Sequence, residues 1–385
     1  MAGALAGLVV LDLTQMVAGP YSTLILGDLG AEIIKIEPPT GDTLRTTGET
    51  FVGGSKESDG YLSINRNKKS VVLDLKKERD QSILKELALQ ADVIVENFRP
   101  GVVDRMGLSY DELSKKNPKL IFCSVNGFGS KGPNAGRPAL DQIIQALSGL
   151  MQLTGSEASG PLRTGFPYVD LISPLLGTIG ILAALHSRSQ TGRGQRVEVS
   201  MIDAALFGMV PREGYYFATG QTPRRIGNGH YQVVPCNTYT TSDNRQMLII
   251  AHQPKFWDAL VQAIGSEVLK DARFATNKQR VALRTEFDAL LTEIISSATL
   301  EEWTRRLDAA GALFAPVRNF EEVFSEPSVV SDMLVKFDHP TAGQITSLNN
   351  PIRLSETPVE MRSRPPLLGE HTDEVLGKLA AKRTS

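Results

Sequence analysis

Cysteine and histidine are scarce in this sequence. Only Cys123 and Cys236 occur among 385 residues. Two cysteines cannot build the disulfide framework of a small secreted protein, so we expect a reducing, cytoplasmic setting. The five histidines are scattered along the chain without the spacing of metal ligands, which predicts that the protein holds no metal site.

Charge of one sign and long apolar runs are lacking as well. The formal net charge is -2, so composition indicates neither a nucleic acid nor a membrane surface as a partner. No apolar run reaches the roughly 18 residues of a membrane span, and the start MAGALAGLVVLDLT lacks the basic segment of a signal peptide. Hydrophobic residues still make up 41% of the chain, which suffices for a large core in two or more domains.

The first half of the chain alternates short apolar strands with helical patterns. Strands are predicted at Leu8–Leu13, Ile33–Glu37, Val71–Leu75, Val93–Val95, Leu120–Val125 and Gln195–Ser200. This alternation indicates an α/β fold with a Rossmann-like parallel sheet. The turn after the first strand lacks the G-x-G-x-x-G pattern. That absence argues against a nicotinamide dehydrogenase, although Glu37 ends the second strand, where such enzymes place a ribose-binding acid.

The texture of the sequence divides the chain into three parts. Residues 1–220 are predicted to form the large α/β domain. A polar linker then leads to a predicted hairpin, Tyr239–Thr241 with Met247–Ala251, and to further helical patterns, so 225–325 is predicted to be a smaller α+β domain. Residues 331–385 contain short strand-like pieces and a helix start, and we expect this tail to return to the large domain.

One acidic residue, Asp170, stands out in the stretch from Gly160 to Leu185. Ser173 as a cap and Pro174 in a first turn predict a helix from Leu175 to about Ser187. Asp170 then stands just before that helix, after apolar residues. A poorly hydrated carboxylate near a helix N-terminus is a candidate reactive acid. Aspartate is also a common helix cap, and the local sequence leaves both interpretations open.

Basic residues near the predicted strand ends also have two interpretations. Lys68, Lys69 and Arg105 have the character of ordinary solvated surface charges. They also lie close to strand ends, where open α/β sheets bind ligands, so a phosphate-binding role is the alternative.

Several short motifs follow one another along the chain. They are Leu11-Asp12-Leu13-Thr14, Ala18-Gly19-Pro20, Gly27-Asp28-Leu29-Gly30-Ala31-Glu32, Ile34-Lys35-Ile36-Glu37-Pro38, Asn65-Arg66-Asn67-Lys68, Val95-Glu96-Asn97-Phe98-Arg99-Pro100-Gly101, Arg105-Met106-Gly107, Thr191-Gly192-Arg193-Gly194-Gln195 and Asp271-Ala272-Arg273-Phe274-Ala275. In this order and spacing, over nearly the full length, the sequence resembles family III CoA-transferases, the CaiB/BaiF group that includes formyl-CoA transferase.

The resemblance implies a fold, an assembly and a set of site residues. It implies a homodimer of two interlocked rings, and Asp170 as the catalytic nucleophile. The CoA-binding residues that it implies are Val17, Ala18, Leu73, Lys76, Asn97, Phe98, Arg99, Arg105 and Arg137, within stretches that extend to Asp141. Formyl-CoA transferase has a glutamine where Val17 stands, and its glycine-only run is absent. Gly227, Asn228 and Gly229 are the candidates for that substrate loop.

The implied reaction moves CoA from an acyl-CoA to a free carboxylic acid. It proceeds through an aspartyl anhydride and an aspartyl-CoA thioester, without a metal or a permanently bound cofactor. Arg163 and His230 are candidates to meet a second carboxylate, which would favour succinyl-CoA and a short dicarboxylate. The sequence does not identify the two acids that are exchanged.

Two other functions stay open on sequence grounds. A CoA-thioester racemase or epimerase of the same fold needs an acid and a base on either side of the α-carbon. Racemases have a histidine in the position of Leu140, and leucine carries no proton, which disfavours this alternative. A CoA-binding protein without catalysis is the other alternative, and the presence of Asp170 argues against it.

Overall fold

The computed structural model describes residues 3–54 and 57–384, which form two compact units. The first unit combines the described residues of Met1–Leu150, Arg163–Gln221 and Ser328–Ser385, and the second combines Met151–Leu162 with Thr222–Pro327. Residues 151–162 therefore group with the second unit, although the sequence interpretation includes them in the large domain.

The elements follow one another in a largely alternating order. The first part of the chain contains β1 (Val9–Asp12), α1 (Ala18–Asp28), β2 (Glu32–Glu37), α2 (Asp59–Ile64), β3 (Lys68–Val72), α3 (Glu78–Gln90), β4 (Val93–Glu96), α4 (Val102–Arg105), α5 (Tyr110–Lys116), β5 (Ile121–Asn126), α6 (Asp141–Leu147) and α7 (Leu150–Leu153). The middle part contains β6 (Gly155–Ser156), β7 (Gly160–Pro161), α8 (Tyr168–Thr191), β8 (Arg196–Ser200), α9 (Met201–Phe207) and α10 (Glu213–Thr219).

The remaining elements complete the chain. They are β9 (Cys236–Thr240), β10 (Gln246–Ile250), α11 (Pro254–Ile264), α12 (Asn277–Ala282), α13 (Arg284–Ile295), α14 (Leu300–Ala310), β11 (Phe314–Pro316), α15 (Phe320–Phe324), α16 (Pro327–Met333), β12 (Leu334–His339), β13 (Gly343–Leu348) and α17 (Thr372–Thr384).

A six-stranded parallel sheet organises the first unit. Its strand order is β3-β2-β1-β4-β5-β8. Neighbouring residues of a strand point to opposite faces, so Ile33 and Ile34 belong to different buried clusters, as do Ile121 and Phe122. Burial on both faces explains why the central strands β1 and β4 are mostly apolar. The prediction of a Rossmann-like parallel sheet is confirmed.

The third strand begins earlier than its sequence suggests. β3 runs from Lys68 to Val72, whereas apolar content alone predicts Val71–Leu75. Lys68 is 1% exposed, pairs with Asp12 at 3.2 Å, and donates a hydrogen bond to the carbonyl of Pro20. Lys69 pairs with Glu32 and Glu374. Lys68 is therefore an internal partner of the sheet, and its interpretation as a surface charge or a phosphate ligand is wrong.

The second unit is built around a small antiparallel sheet. Strands β9 and β10 pair as the predicted hairpin, and β11 adds to the other edge of β10. Tyr239, Phe287 and Trp303 are central to the apolar cluster that joins this sheet to helices α11, α13 and α14. Large aromatic side chains bury much apolar surface for each residue, which suits a small unit.

The C-terminal segment lies in the first unit. Arg66 pairs with Asp28 at 2.6 Å and donates a hydrogen bond to the carbonyl of Leu348. The guanidinium of Arg362 donates to the backbone carbonyls at the end of α1, and the His371 N–H donates to Ser70. Backbone carbonyls that would otherwise lack partners are satisfied by these arginines.

Helix α8 begins seven residues before its predicted start at Leu175. Asp141 accepts hydrogen bonds from the N–H groups of Val169 and Asp170 at 2.8 and 3.2 Å. This distant carboxylate caps the helix. Ser173 is not a cap, because its hydroxyl donates to the carbonyl of Val169 inside the helix. Asp170 thus lies in the first turn rather than before the helix.

The region after β8 also differs from its prediction. A single helix from Met201 to Gly220 is expected, but the structure has two, α9 and α10. Pro211 lies between them and has no N–H to continue a helical ladder.

Helix α8 is long and apolar enough, by length and composition, to cross a membrane. The expectation that no stretch reaches this length is therefore wrong. The helix packs against α1, α9, β5 and β8, as a core helix of a globular protein does. Gly177 and Gly180 lie where it meets the sheet. A Cβ on Gly180 would lie 2.6 Å from Cγ1 of Val197.

We expect Gly180→Ala to destabilise the protein. Overpacking against Val197 costs about 1–3 kcal/mol, and the better helix propensity of alanine returns about 1 kcal/mol. Gly177→Ala is the matched control in the same helix, because its Cβ would lie at an ordinary 3.4 Å from Val125. Urea unfolding should show a lower midpoint for Gly180→Ala only. Equal midpoints for the two variants would contradict the close packing.

Candidate active site

Two loops meet where the strand order of the large sheet reverses, between β1 and β4. Gln15 follows β1, and Asn97 follows β4. The amide nitrogen of Asn97 donates to the Gln15 carbonyl at 2.8 Å, and its amide oxygen accepts the Gln15 N–H at 2.9 Å. Open α/β sheets bind ligands in the crevice at such a point. The Asn97 side chain therefore fixes the two loops that border this crevice.

A cavity of about 480 Å³ opens at the crevice. It is lined by Gln15, Met16, Val17, Ala18, Asn97, Phe98, Arg99, Pro100, Val125, Asn126, Gly127, Ala135, Arg137, Ala139, Leu140, Asp170 and Met201. We refer to it as the Asp170 cavity. Of the residues named from the sequence, Val17, Ala18, Asn97, Phe98, Arg99, Arg137 and Asp170 lie together around it.

A second cavity, of about 520 Å³, adjoins the ends of β1, β2 and β3. It is lined by Leu13, Gln15, Ile36, Glu37, Pro38, Pro39, Thr40, Leu73, Asp74, Leu75, Lys76, Leu84, Phe98 and Met106. Leu73 and Lys76 lie here, and Phe98 borders both cavities. The carboxylate of Glu37 is held by Arg45 at 2.7 Å and by Ser70 at 2.6 Å. Because the Glu37 carboxylate is occupied by these internal contacts, it is not available to bind a ribose.

The remaining predicted site residues lie elsewhere. Arg105 ends α4 and lines neither cavity, although its neighbour Met106 lines the second one. Gly227, Asn228 and Gly229 belong to the second unit. There the Gly227 N–H donates to the carbonyl of Gly155, and the Asn228 amide donates to Thr238. Their role as a substrate loop stays a prediction.

Asp170 and Asp141 are two carboxylates in different surroundings. Asp141 is 4% exposed, and it accepts hydrogen bonds from two backbone N–H groups of α8 and from the Gln145 amide at 2.5 Å. The Asp170 side chain is half-buried at the cavity wall. Asp141, and not Asp170, is therefore the helix cap. The capping interpretation of Asp170 is wrong, because its carboxyl makes no hydrogen bond to the N-terminus of α8.

The surroundings of Asp170 raise its pKa to about 7. Burial is the larger cause, because it disfavours the charged form, and the nearby carboxylate of Asp141 adds to the rise. A poorly hydrated carboxylate is more nucleophilic toward a carbonyl carbon than a fully hydrated one.

The charge and the polarity of the Asp170 cavity suit an anionic ligand. The guanidinium of Arg137 lies 5.3 Å from the centre of the Phe128 ring and donates a hydrogen bond to Asn134 at 3.1 Å. Leu140 lines the cavity and is 66% exposed. A leucine there cannot transfer a proton. Among residues 3–54 and 57–384, no three His, Cys, Asp or Glu side chains come together as metal ligands.

Sequence reasoning missed the buried charges that shape the loop after β1. Lys35, fully buried in β2, pairs with Asp42 at 2.8 Å and donates to the carbonyl of Thr14 at 2.8 Å. Asp42 also accepts the N–H of Met16 at 3.1 Å. These contacts set the loop that carries Val17 into the Asp170 cavity. The signal was a lysine inside the apolar strand EIIKIE, which demands a buried counter-charge.

The raised pKa of Asp170 predicts a dependence of stability on pH. The folded chain holds the Asp170 proton up to about pH 7, whereas the unfolded chain releases it near 3.8. Because the folded state binds more protons in this window, its free energy of unfolding falls as pH rises from about 4 to about 7. Asp170→Asn cannot ionise. We expect it to melt at a higher temperature than the wild type at about pH 8, with a gap that narrows toward about pH 4.

Asp111→Asn is the control for this measurement, because Asp111 also lies in a first helical turn but is exposed. Its difference from the wild type should not grow between the two pH values. A melting gap for Asp170→Asn that is the same at both ends of the range would contradict the raised pKa.

Comparison with known proteins identifies the family of this chain. The family model described as CoA-transferase family III matches residues 5–372. The succinyl-CoA:glutarate CoA-transferase of Homo sapiens is 35% identical, over 97% of this chain and 85% of its own. The acetyl-CoA:oxalate CoA-transferase of Acetobacter aceti is 39% identical, over 92% of this chain and 90% of its own.

A crystal structure of a CAIB/BAIF family protein from Brucella suis superposes with a TM-score of 0.90. It is 34% identical, and the match covers 98% of this chain and 100% of that chain. A family match across the whole length, a shared fold and enzymatic relatives of this identity lead to one conclusion. The chain belongs to CoA-transferase family III and is a CoA-transferring enzyme of the CaiB/BaiF group.

Proposed function

We propose that this enzyme moves CoA from succinyl-CoA, or a similar acyl-CoA, to a second short carboxylic acid, with Asp170 as the nucleophile. The observation that carries the proposal is the half-buried carboxyl of Asp170, which lies at the wall of the Asp170 cavity and does not cap helix α8. The names of the relatives support the class of substrate. The human relative is named for succinyl-CoA and glutarate, and the bacterial one for acetyl-CoA and oxalate.

The first half of the reaction breaks the donor thioester. The Asp170 carboxylate attacks the thioester carbonyl, and the carbon–sulfur bond breaks with its electron pair leaving on the CoA thiolate. The product is a mixed anhydride between Asp170 and the donor acid. The thiolate then attacks the carbonyl carbon of the Asp170 side chain. This step releases the donor carboxylate and leaves an aspartyl-CoA thioester.

The second half runs the same bonds in reverse on the acceptor. The acceptor carboxylate attacks the aspartyl thioester and expels CoA thiolate, which forms a second anhydride. The thiolate attacks the acceptor carbonyl of that anhydride, so the new acyl-CoA forms and the Asp170 carboxylate is regenerated. No proton or electron is gained or lost overall. The anhydrides must be protected from water, because hydrolysis would release the acid without transfer of CoA. Gly227 to Gly229 are our candidates for a loop that closes over them.

The two cavities suggest how CoA is held. The nucleotide part fits the cavity with Leu73 and Lys76, and the pantetheine arm would pass Phe98 to bring the thioester to Asp170. Phe98 borders both cavities, which makes it the natural point of passage. Lys76, Arg99 and Arg137 supply positive charge for the phosphates. Arg105, beside the second cavity, is proposed to reach the same phosphates from α4.

The second carboxylate of a dicarboxylic acid needs a cation. Arg163 is exposed in the segment that leads into α8, and it is our candidate for this contact. His230 lies in the second unit, where its ring stacks on Tyr231 with centroids 4.6 Å apart. A panel of acyl-CoA donors against free acids, followed by mass spectrometry, identifies the pair that is exchanged.

Asp170→Asn tests the nucleophile. The amide is nearly the same size as the carboxylate but far less nucleophilic, and it cannot form the anhydride. We expect CoA transfer to fall by several orders of magnitude while the fold and acyl-CoA binding survive. In the wild type, the rate should rise with pH through about 7 as Asp170 ionises. Mass spectrometry after acyl-CoA and hydroxylamine should find the wild type modified at Asp170.

Asp203→Asn is the control for this substitution. Asp203 also lies in a first helical turn, but it bonds to the Ser200 cap of α9 and lines neither cavity. Its transfer rate should stay close to that of the wild type. An active Asp170→Asn enzyme, or an adduct trapped on another residue, would refute the mechanism.

The proposed assembly is a homodimer of interlocked rings. Helices α8, α9 and α10 leave large apolar side chains uncovered, among them Ile179 at 61%, Phe207 at 67% and Phe217 at 78% exposure. Such surfaces are usually covered by a partner. Light scattering should give the mass of a dimer that persists on dilution. A monomer at micromolar concentration would overturn the proposal.

The two cysteines are free, which suits the cytoplasm as the proposed location.

A further inference from the structure

A third cavity, of about 300 Å³, extends from the carboxyl end of β4 along β5 to Arg196, the first residue of β8, beside the turn of residues 97–101. It shares Phe98, Pro100 and Asn126 with the Asp170 cavity. The two cavities are therefore adjacent. The third cavity is smaller than the other two, and its size suits a ligand much smaller than CoA.

A buried acid forms the inner part of this cavity. Glu96 ends β4, is 5% exposed, and accepts the Phe98 N–H at 2.8 Å. Ser124 stands opposite in the register of β5. Burial raises the pKa of Glu96 to about 7, against the opposing effects of Ser124, the Phe98 N–H and Arg196. Near neutral pH the carboxyl is therefore partly protonated, and it can donate as well as accept a hydrogen bond.

Two exposed cations, Arg196 and Lys131, line the same cavity. Arg196 forms an ion pair with Glu198 at 3.9 Å. The oxygens of Glu198 are already occupied by the Ser130 hydroxyl at 2.8 Å and the Asn126 amide at 3.3 Å. Within the described parts of the chain, Lys131 forms no ion pair. Asp104 also lines the cavity. While Glu96 is protonated, the two cations Arg196 and Lys131 outnumber this one lining carboxylate.

We propose that the third cavity binds a short-chain carboxylate. Arg196 and Lys131 hold its carboxylate group, the Phe98 and Val103 side chains cover its hydrocarbon part, and Glu96 contacts its far end. The inference rests on the proposed function, because free acids of this class are what the reaction consumes and releases. An acid bound here lies next to the cavity in which Asp170 is expected to carry CoA.

The test is calorimetric titration of glutarate into the protein without CoA. We expect the wild type to bind glutarate, and Arg196→Gln to weaken this binding about tenfold or more, because it removes the charge at the cavity mouth. Arg137→Gln is the matched control. It removes a cation that lines the Asp170 cavity but not the third one, so it should leave the affinity unchanged.

Three outcomes would overturn the inference. They are no binding of glutarate, loss of binding in Arg137→Gln but not in Arg196→Gln, and tighter binding of inorganic phosphate than of glutarate. CoA transfer by the wild-type enzyme separates the two proposals. Glutarate binding without transfer overturns the proposed function alone, and transfer without glutarate binding overturns only this inference.

Glu96→Gln supplies a readout that a purely structural role would not move. Glutarate affinity of the wild type should fall as pH rises through about 7, because Glu96 then becomes charged and repels the ligand. The other charged or titratable groups at this cavity are Arg196 on β8, Lys131, Asp104 on α4 and Tyr110 on α5. Glutamine stays neutral, so the variant should bind glutarate with little pH dependence. An unchanged pH dependence would show that the acid binds elsewhere.

Discussion

Buried ion pairs that link β1, β2, β3 and the loop after β2 hold the candidate active-site crevice in place. Asp12 pairs with Lys68, and Lys35 pairs with Asp42, all beneath the surface. Burial alone would raise the pKa of Asp12, but Lys68 and Lys35 lower it to about 2. Removing one partner of such a pair typically costs about 3–5 kcal/mol, because the other charge stays buried. Through Asp42, the same pairs hold the Met16 N–H and therefore the loop that borders Asp170.

A division of labour between two aspartates follows from that framework. Asp141 is saturated with hydrogen bonds from α8 and Gln145, and so it serves the structure. Asp170 lies in the first turn of α8, and its carboxyl makes no capping hydrogen bond. The charge of Asp141 also raises the pKa of Asp170. Environments that separate the behaviour of two neighbouring carboxyls are a common way for proteins to assign chemical roles.

The parts of the fold that could be predicted from sequence are those in which local pattern and burial agree. The first two strands and the β9–β10 hairpin were found because apolar periodicity and turn residues point the same way. The predictions failed where a distant residue decides. Lys68 belongs in a strand only because Asp12, 56 positions earlier in the printed sequence, neutralises it. Helix α8 begins at Tyr168 only because Asp141 caps it from another segment.

The sequence by itself determined the fold class and the family, and it indicated Asp170 as the candidate nucleophile. These rest on ordered motifs and on alternating apolar segments, which are written along the chain. Tertiary structure alone decided that Asp170 is not the cap of its helix, that Lys68 is not a surface charge, and that Phe98 borders both cavities. Each of these depends on a partner far away in sequence, and hydrogen bonds and charges act across space, where a linear pattern carries no signal.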